Sequence, residues 1–307
     1  MHKSVLLDEV LENLNLKNDS IVVDCTLGYG GHSSEVLKRI NDGFLYAFDQ
    51  DMEAISYSSK RLSEIGSNYE IIYSNFSLLK EELKKRNVDK VDAIIFDLGV
   101  SSPQLDNPER GFSFHNDSKL DMRMDTNQTL SAYEVVNEYS LNDLIYILKN
   151  YGEEKFAKNI ATAIVNARKT KKIETTLELT EIIKSSVSEK YRREKHPARK
   201  TFQAIRIEVN DELNVETTAL KDALDMLKVG GRLCVITFHS LEDKICKKIM
   251  KEVSELDSLA KKLPVVPEYL KPKFKIVATI KPSEKELNVN NRSRSATLRV
   301  IERIREG

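Results

Sequence analysis

The chain has 307 residues, 40% hydrophobic and 31% charged, with 48 Lys and Arg balancing 48 Asp and Glu. At roughly 150 residues per domain this is a soluble globular chain of about two domains. No apolar run approaches the roughly 20 residues that span a bilayer, which excludes a membrane-spanning function and leaves no membrane partner. The first ten residues carry acids where a signal peptide would be apolar, so a cytoplasmic location is expected. Cys25, Cys234 and Cys246 form no CxxC pair, and of five histidines only His32 and His239 fall beside strand ends, so neither a disulfide framework nor a metal is implied.

The neutral total conceals a division. Residues 1–100 hold 11 basic and 17 acidic side chains, whereas residues 151–205 hold 13 and 7. Residues 168–172 and 190–200 are therefore candidate phosphate contacts, because clustered cations displace counterions from a nucleic acid backbone. A solvated helix face is the commoner meaning of such runs.

In chain order, residues 1–16 read as a helix with Val5, Leu6, Val10 and Leu14 on a mixed apolar stripe. An apolar run then ends on Asp24 and breaks into Gly28, Gly30 and Gly31: a strand, a tight turn and a helix start. Such glycines let a ligand approach bare backbone. The dinucleotide fingerprint needs a third glycine where Ser33 stands, and no Gly-Lys-Ser/Thr follows for a nucleoside triphosphate. Asp49, about 20 residues on, suits a ribose diol. A ligand with a ribose and no phosphates, such as S-adenosylmethionine, fits best, although Asp24 and Asp49 could each simply cap a loop.

Helices over about 32–40, 51–65 and 76–86 alternate with strands at 43–49, 69–74 and 91–97. This pattern predicts a parallel sheet covered on both faces, with a ligand over the carboxyl ends of its strands. Asp24, Asp49, Asn75, Phe76 and Asp97 fall at that edge; Phe76 could stack on a purine, and Asp97 or Gln104 could bond the adenine edge or the amino-acid part. From Asp106 the helical period is lost, and in an extended segment Asp121, Arg123 and Asp125 would share one side as a substrate clamp or a solvated edge. Residues 130–200 read as helical, with capping-box spacing at Ser131, Ser140 and Thr175. Pro197 suits the first turn of a further helix, on which Gln203, Arg206 and Asn210 share a face. Strands at 230–239, 274–280 and 296–304 bring the total to seven. The expected organisation is a discontinuous core of residues 1–105 and 206–307 around a mostly helical, substrate-binding insertion at 106–205.

Several stretches, taken together, carry a resemblance. They are His2-Lys-Ser-Val-Leu-Leu-Asp-Glu-Val10, Asp24-Cys-Thr-Leu-Gly-Tyr-Gly-Gly-His32, Asp97-Leu-Gly-Val-Ser-Ser-Pro-Gln-Leu-Asp106, Arg110-Gly-Phe-Ser-Phe114, Leu120-Asp-Met-Arg-Met-Asp125, residues 201–213 and Phe238-His-Ser-Leu-Glu-Asp243. In this order they closely resemble the bacterial 16S ribosomal RNA cytosine-N4 methyltransferases, the RsmH or MraW family, nearly end to end. The resemblance implies an α/β fold: a class I, Rossmann-like methyltransferase with a seven-stranded sheet and an inserted helical domain. It implies S-adenosylmethionine as cofactor, with Gly30, Gly31, His32, Asp49, Phe76, Asp97 and Gln104 binding it. It further implies methylation of the exocyclic N4 of a cytidine in the decoding centre of 16S rRNA in the small ribosomal subunit, and allows a homodimer. The Asn/Asp-Pro-Pro-aromatic motif of many amino methyltransferases is absent, since the corresponding place reads Asp97-Leu-Gly-Val100. Asp97, Ser101 and the Asp121, Arg123, Asp125 edge are candidate hydrogen-bonding groups for the substrate amine, with Arg206 and Asn210 for base or phosphate and His239 at a strand end; no catalytic base is assigned. The alternatives are a class I methyltransferase acting on another RNA or a small molecule, and a noncatalytic RNA-binding module.

Overall fold

The computed structural model describes residues 4–194, 196–256 and 260–306. Its contacts divide the chain into two compact units, Met1–Gly99 with Leu213–Gly307, and Val100–Glu212.

The first unit is built on seven strands: β1 (Ile21–Asp24), β2 (Phe44–Asp49), β3 (Tyr69–Tyr73), β4 (Val91–Asp97), β5 (Leu227–Thr237), β6 (Phe274–Ile280) and β7 (Thr297–Arg303). They lie in the order β3-β2-β1-β4-β5-β7-β6. The first five are parallel to one another, and β7 is antiparallel to both β5 and β6. This is the sheet of a class I methyltransferase. Strand residues are apolar in continuous runs because both faces are covered: Val22, Ala93 and Ile95 enter one core with Leu45 and Ile236, while Val23, Ile94 and Phe96 enter the opposite core with Phe48 and Val235. The connections run to β2 and β3 on one side of β1 and to β4 on the other, so the order reverses beside β1 and leaves a crevice at its carboxyl end.

Several predicted bounds shift. The first helix is Leu7–Asn13, preceded by buried Leu6 in a left-handed conformation (φ 52°). The helix expected from residue 76 opens as a 3-10 turn, Phe76–Leu78, capped by Asn75. β5 begins at Leu227, ahead of its glycines, and its register against β4 shifts between Val91 and Ala93.

The second unit is helical: Ser102–Asp106, Ala132–Glu138, Leu141–Asn150, Ala157–Thr170, Thr176–Ser186, Glu189–Glu194 and Ala198–Asn210. Full capping boxes form at Ser131 with Glu134 and at Thr175 with Glu178, and Ser140 accepts from the Asp143 amide. Val135, Leu144, Leu148, Ile160, Ile164, Ile183 and Phe202 make one core. The unit is wider than the expected 106–205 at both ends. Val100 and Leu105 pack on this core, and the last helix continues to Asn210 with Val209 buried before Asp211 turns left-handed (φ 48°). Pro197 is the cap residue of that helix, one place before its first turn.

Residues 120–125 depart from the extended expectation. Met122 has φ 60°, which breaks the two-residue alternation, so Leu120 and Met122 are buried within an irregular loop.

Candidate functional site

In the first unit, the strand-end acids are held by backbone. Asp24 accepts from the Thr26 amide at 3.0 Å and from the Ser33 hydroxyl at 2.7 Å. The residue that replaces the third fingerprint glycine therefore binds the acid that closes β1. Gly28 and Gly30 take φ of 50° and 69°, and a Cβ at Gly31 would lie 1.8 Å from Ser4 Oγ. Asp49 accepts from the Gly28 amide at 2.8 Å and from the Asp51 amide at 2.9 Å, which fixes the glycine turn against the end of β2. Burial pushes its carboxyl up to about 6 in spite of those two bonds, with Asp51 and Asp24 adding to the rise. Each Asp49 oxygen retains a second lone pair, the requirement for receiving a ribose diol.

At the end of β3, Asn75 accepts from the Ser77 amide at 2.9 Å and donates to Gln50 at 2.8 Å, tying two strand ends together. Phe76 meets Phe96 edge-on at 5.4 Å, so the ring is braced from the core side.

Asp97 closes β4. Its amide donates to Thr26 Oγ1 at 2.7 Å, and its Oδ2 lies 3.8 Å from His32 Nδ1. Its Oδ1 is buried without a hydrogen-bond partner. Burial pushes this carboxyl up to about 6; His32 opposes the rise, and Asp24 and Glu242 reinforce it. Glu242 belongs to the cap after β5. His239 caps helix Ser240–Ser254, and Glu242 accepts from the amides of Phe238 at 2.8 Å and His239 at 3.2 Å. His239 is thus engaged with its own helix. Thr26, Gln50 and Glu242 were missed by sequence reasoning; only the strand-end position of Thr26 and Gln50 marked them.

The second unit holds the remaining candidates. Gln104 is buried and accepts from the Ser101 amide at 3.0 Å. Arg123 pairs with Asp121 through two bonds of 2.9 and 2.7 Å and donates to the carbonyls of Thr126 and Gln128. Burial pushes the Asp121 carboxyl up, but Arg123 outweighs this and holds it below the ordinary carboxylate range. Asp125 accepts from the Asn127 amide. Asn210 accepts from the Met124 amide at 2.8 Å and donates to the Met122 carbonyl at 2.8 Å. It therefore clamps the irregular loop to the helix Ala198–Asn210. Arg206 makes a two-bond pair with Glu212, both at 2.7 Å. The expected clamp is thus a set of internally satisfied groups, with Asp121, Arg123 and Asn210 shaping one loop. Of the basic runs, Arg168 bonds the Val136 and Tyr139 carbonyls, whereas Lys190, Arg192 and Arg199 are exposed.

The sequence matches the MraW methylase family over residues 1–304. The chain belongs to that family. One curated relative, ribosomal RNA small subunit methyltransferase H from Exiguobacterium sibiricum, is 55% identical over 309 residues, covering 99% of each chain. Among solved structures, an rRNA methylase from Streptococcus thermophilus is 16% identical with 99% of each chain covered and a TM-score of 0.45. A SAM-dependent O-methyltransferase from Thermotoga maritima is 9% identical, with 100% of this chain and 69% of that one covered and a TM-score of 0.44. Among the described residues of this family member, no helix is long and apolar enough to cross a membrane.

Proposed function

We propose that this protein transfers a methyl group from S-adenosylmethionine to the exocyclic N4 of a cytidine in the decoding centre of 16S rRNA. The observation that carries the reading is the 55% identity, end to end, with a small-subunit rRNA methyltransferase.

The residues present fit the cofactor. Asp24, Asp49, Asp51, Asp97 and Glu242 gather at the strand ends, an environment that repels phosphates and favours a cation such as a sulfonium. Arg61, the cation at the glycine turn, donates to the Tyr29 carbonyl. In this reading Asp49 receives the ribose hydroxyls, Phe76 the purine face, and the Gly30, Gly31 and His32 turn the amino-acid part. When bound, the cofactor supplies an electrophilic methyl group.

The cytosine amine is a weak nucleophile because its lone pair is delocalised into the ring. Alignment with the methyl group must supply much of the acceleration, and the base must leave its stack to be aligned. The exposed cations Lys190, Arg192 and Arg199 of the helical unit would hold flanking phosphates, and within that unit Asp121, Arg123 and Asn210 shape one loop. The protein acts in the cytoplasm, on the small subunit or its RNA.

The test is transfer of labelled methyl groups to small ribosomal subunits lacking the modification, followed by nucleoside analysis. Label in N4-methylated cytidine is expected. Label on another nucleoside, with the cofactor bound, would remove the assigned reaction.

A further inference from the structure

His32 Nε2 lies 3.1 Å from the Val5 carbonyl oxygen. A carbonyl only accepts, so Nε2 carries a hydrogen in every protonation state of the ring. The variable position is Nδ1, and it faces Asp97 Oδ2 at 3.8 Å. A bare Nδ1 lone pair opposite a bare carboxylate would set two electron-rich groups against each other where His32 is only 4% exposed. One proton between them removes the conflict, as imidazolium facing carboxylate or imidazole facing carboxylic acid. Asp97 Oδ1 is buried without a partner, which leaves its lone pairs available to a donor from outside the chain. The Asp97 amide on Thr26 Oγ1 keeps the carboxyl in place. The other charged groups acting on Asp97 are Asp24 at the end of β1 and Glu242 on helix Ser240–Ser254. Both are anionic, and both are already hydrogen-bonded to local backbone. His32 is therefore the base that faces Asp97.

We propose that His32 and Asp97 act as one acid–base unit, in which Asp97 Oδ1 accepts the proton lost by the attacking amine and His32, facing Oδ2 across 3.8 Å, favours the ionised carboxyl that can accept it. The proposal rests on the methyl-transfer reading above. The amine nitrogen forms its bond to the methyl carbon as the carbon–sulfur bond breaks, and that electron pair leaves on sulfur as a neutral thioether. The nitrogen, now cationic, gives one proton to Asp97 and becomes a neutral methylamino group. The pair returns the proton to water once the products leave. His32 acts through Asp97 and is a positioning residue.

His32→Gln separates the two roles of the ring, because the glutamine amide can donate to Val5 but presents no base to Asp97. Long-range proton–nitrogen NMR of the full-length chain without cofactor is expected to find the hydrogen of the neutral ring on Nε2, the nitrogen that faces the Val5 carbonyl. A neutral ring protonated on Nδ1 overturns the pair. With substrate, the acid limb of kcat/KM is expected to move upward by about 1 unit in His32→Gln, because Asp97 loses the group that favours its ionised form; an unmoved limb overturns the role of His32 in the unit. If the wild-type chain methylates no small-subunit RNA, the function reading falls with the amine step, and the NMR result alone decides whether the pair exists.

Discussion

Ser33 Oγ donates to Asp24 Oδ2 at 2.7 Å, with both side chains buried. The residue that disqualifies the glycine turn as a dinucleotide fingerprint is thus the donor that satisfies its strand-end acid. Ser33→Ala would leave a buried carboxylate one bond short. We expect a loss of about 1–3 kcal/mol in urea denaturation, with the methyl-transfer rate reduced as the turn loosens. Ser33→Gly should gain no affinity for a dinucleotide, measured by calorimetry, because Asp24, Asp49 and Asp51 remain around the turn.

Asp97 supplies a pH prediction. Its folded carboxyl titrates at about 6, above the ordinary value near 3.9. Between those values the folded state holds more protons than the unfolded state, so stability falls as pH rises through the window, and the full cost is present above about 6. Asp97→Asn removes that cost. The variant should be more stable than wild type at pH 8, by on the order of 2 kcal/mol, with the gain shrinking as pH falls through 6 toward 4. Denaturant midpoints at both ends of the range decide this, and an equal gain throughout would contradict the burial argument.

Asn210 holds the amide of Met124 and the carbonyl of Met122. Asn210→Ala leaves two backbone groups of one loop without partners, at a cost of about 2–4 kcal/mol. Hydrogen exchange should find loop residues 120–125 losing protection ahead of the helices. Uniform loss across the helical unit would assign Asn210 to the core instead.

Salt dependence sorts the cations. Arg192 and Arg199 are exposed, and replacing either with alanine should lower the slope of log affinity against log salt for small-subunit RNA by about 1 per lost phosphate contact. Arg168 is engaged with the Val136 and Tyr139 carbonyls. Arg168→Ala should therefore lower the melting temperature while leaving that slope unchanged.

Strands β1, β2 and β4 were legible because each is an apolar run that ends on an aspartate, and a run buried on both faces needs little context to be recognised. Asp24, Asp49 and Asp97 were legible as site residues for the same reason. They stand where parallel strands stop, and parallel strands stop at one edge. Helix caps at Ser131 and Thr175 were equally local, since a box closes within four residues.

What the sequence determined by itself was therefore the order of the strands along the chain, the edge that carries the acids and, through several long motifs, the family. Only the tertiary structure decided which of those side chains have bonding capacity left. The partners that decide it lie far along the chain: Thr26 for the Asp97 amide, Val5 for His32 and Asn210 for the loop at Met122. Arg123 shows the same limit at short range, because the left-handed turn at Met122 brings it onto Asp121 where an extended segment would have kept both free. Spacing along a chain reports which face a residue shares; whether its charge is already answered depends on what the fold brings against it.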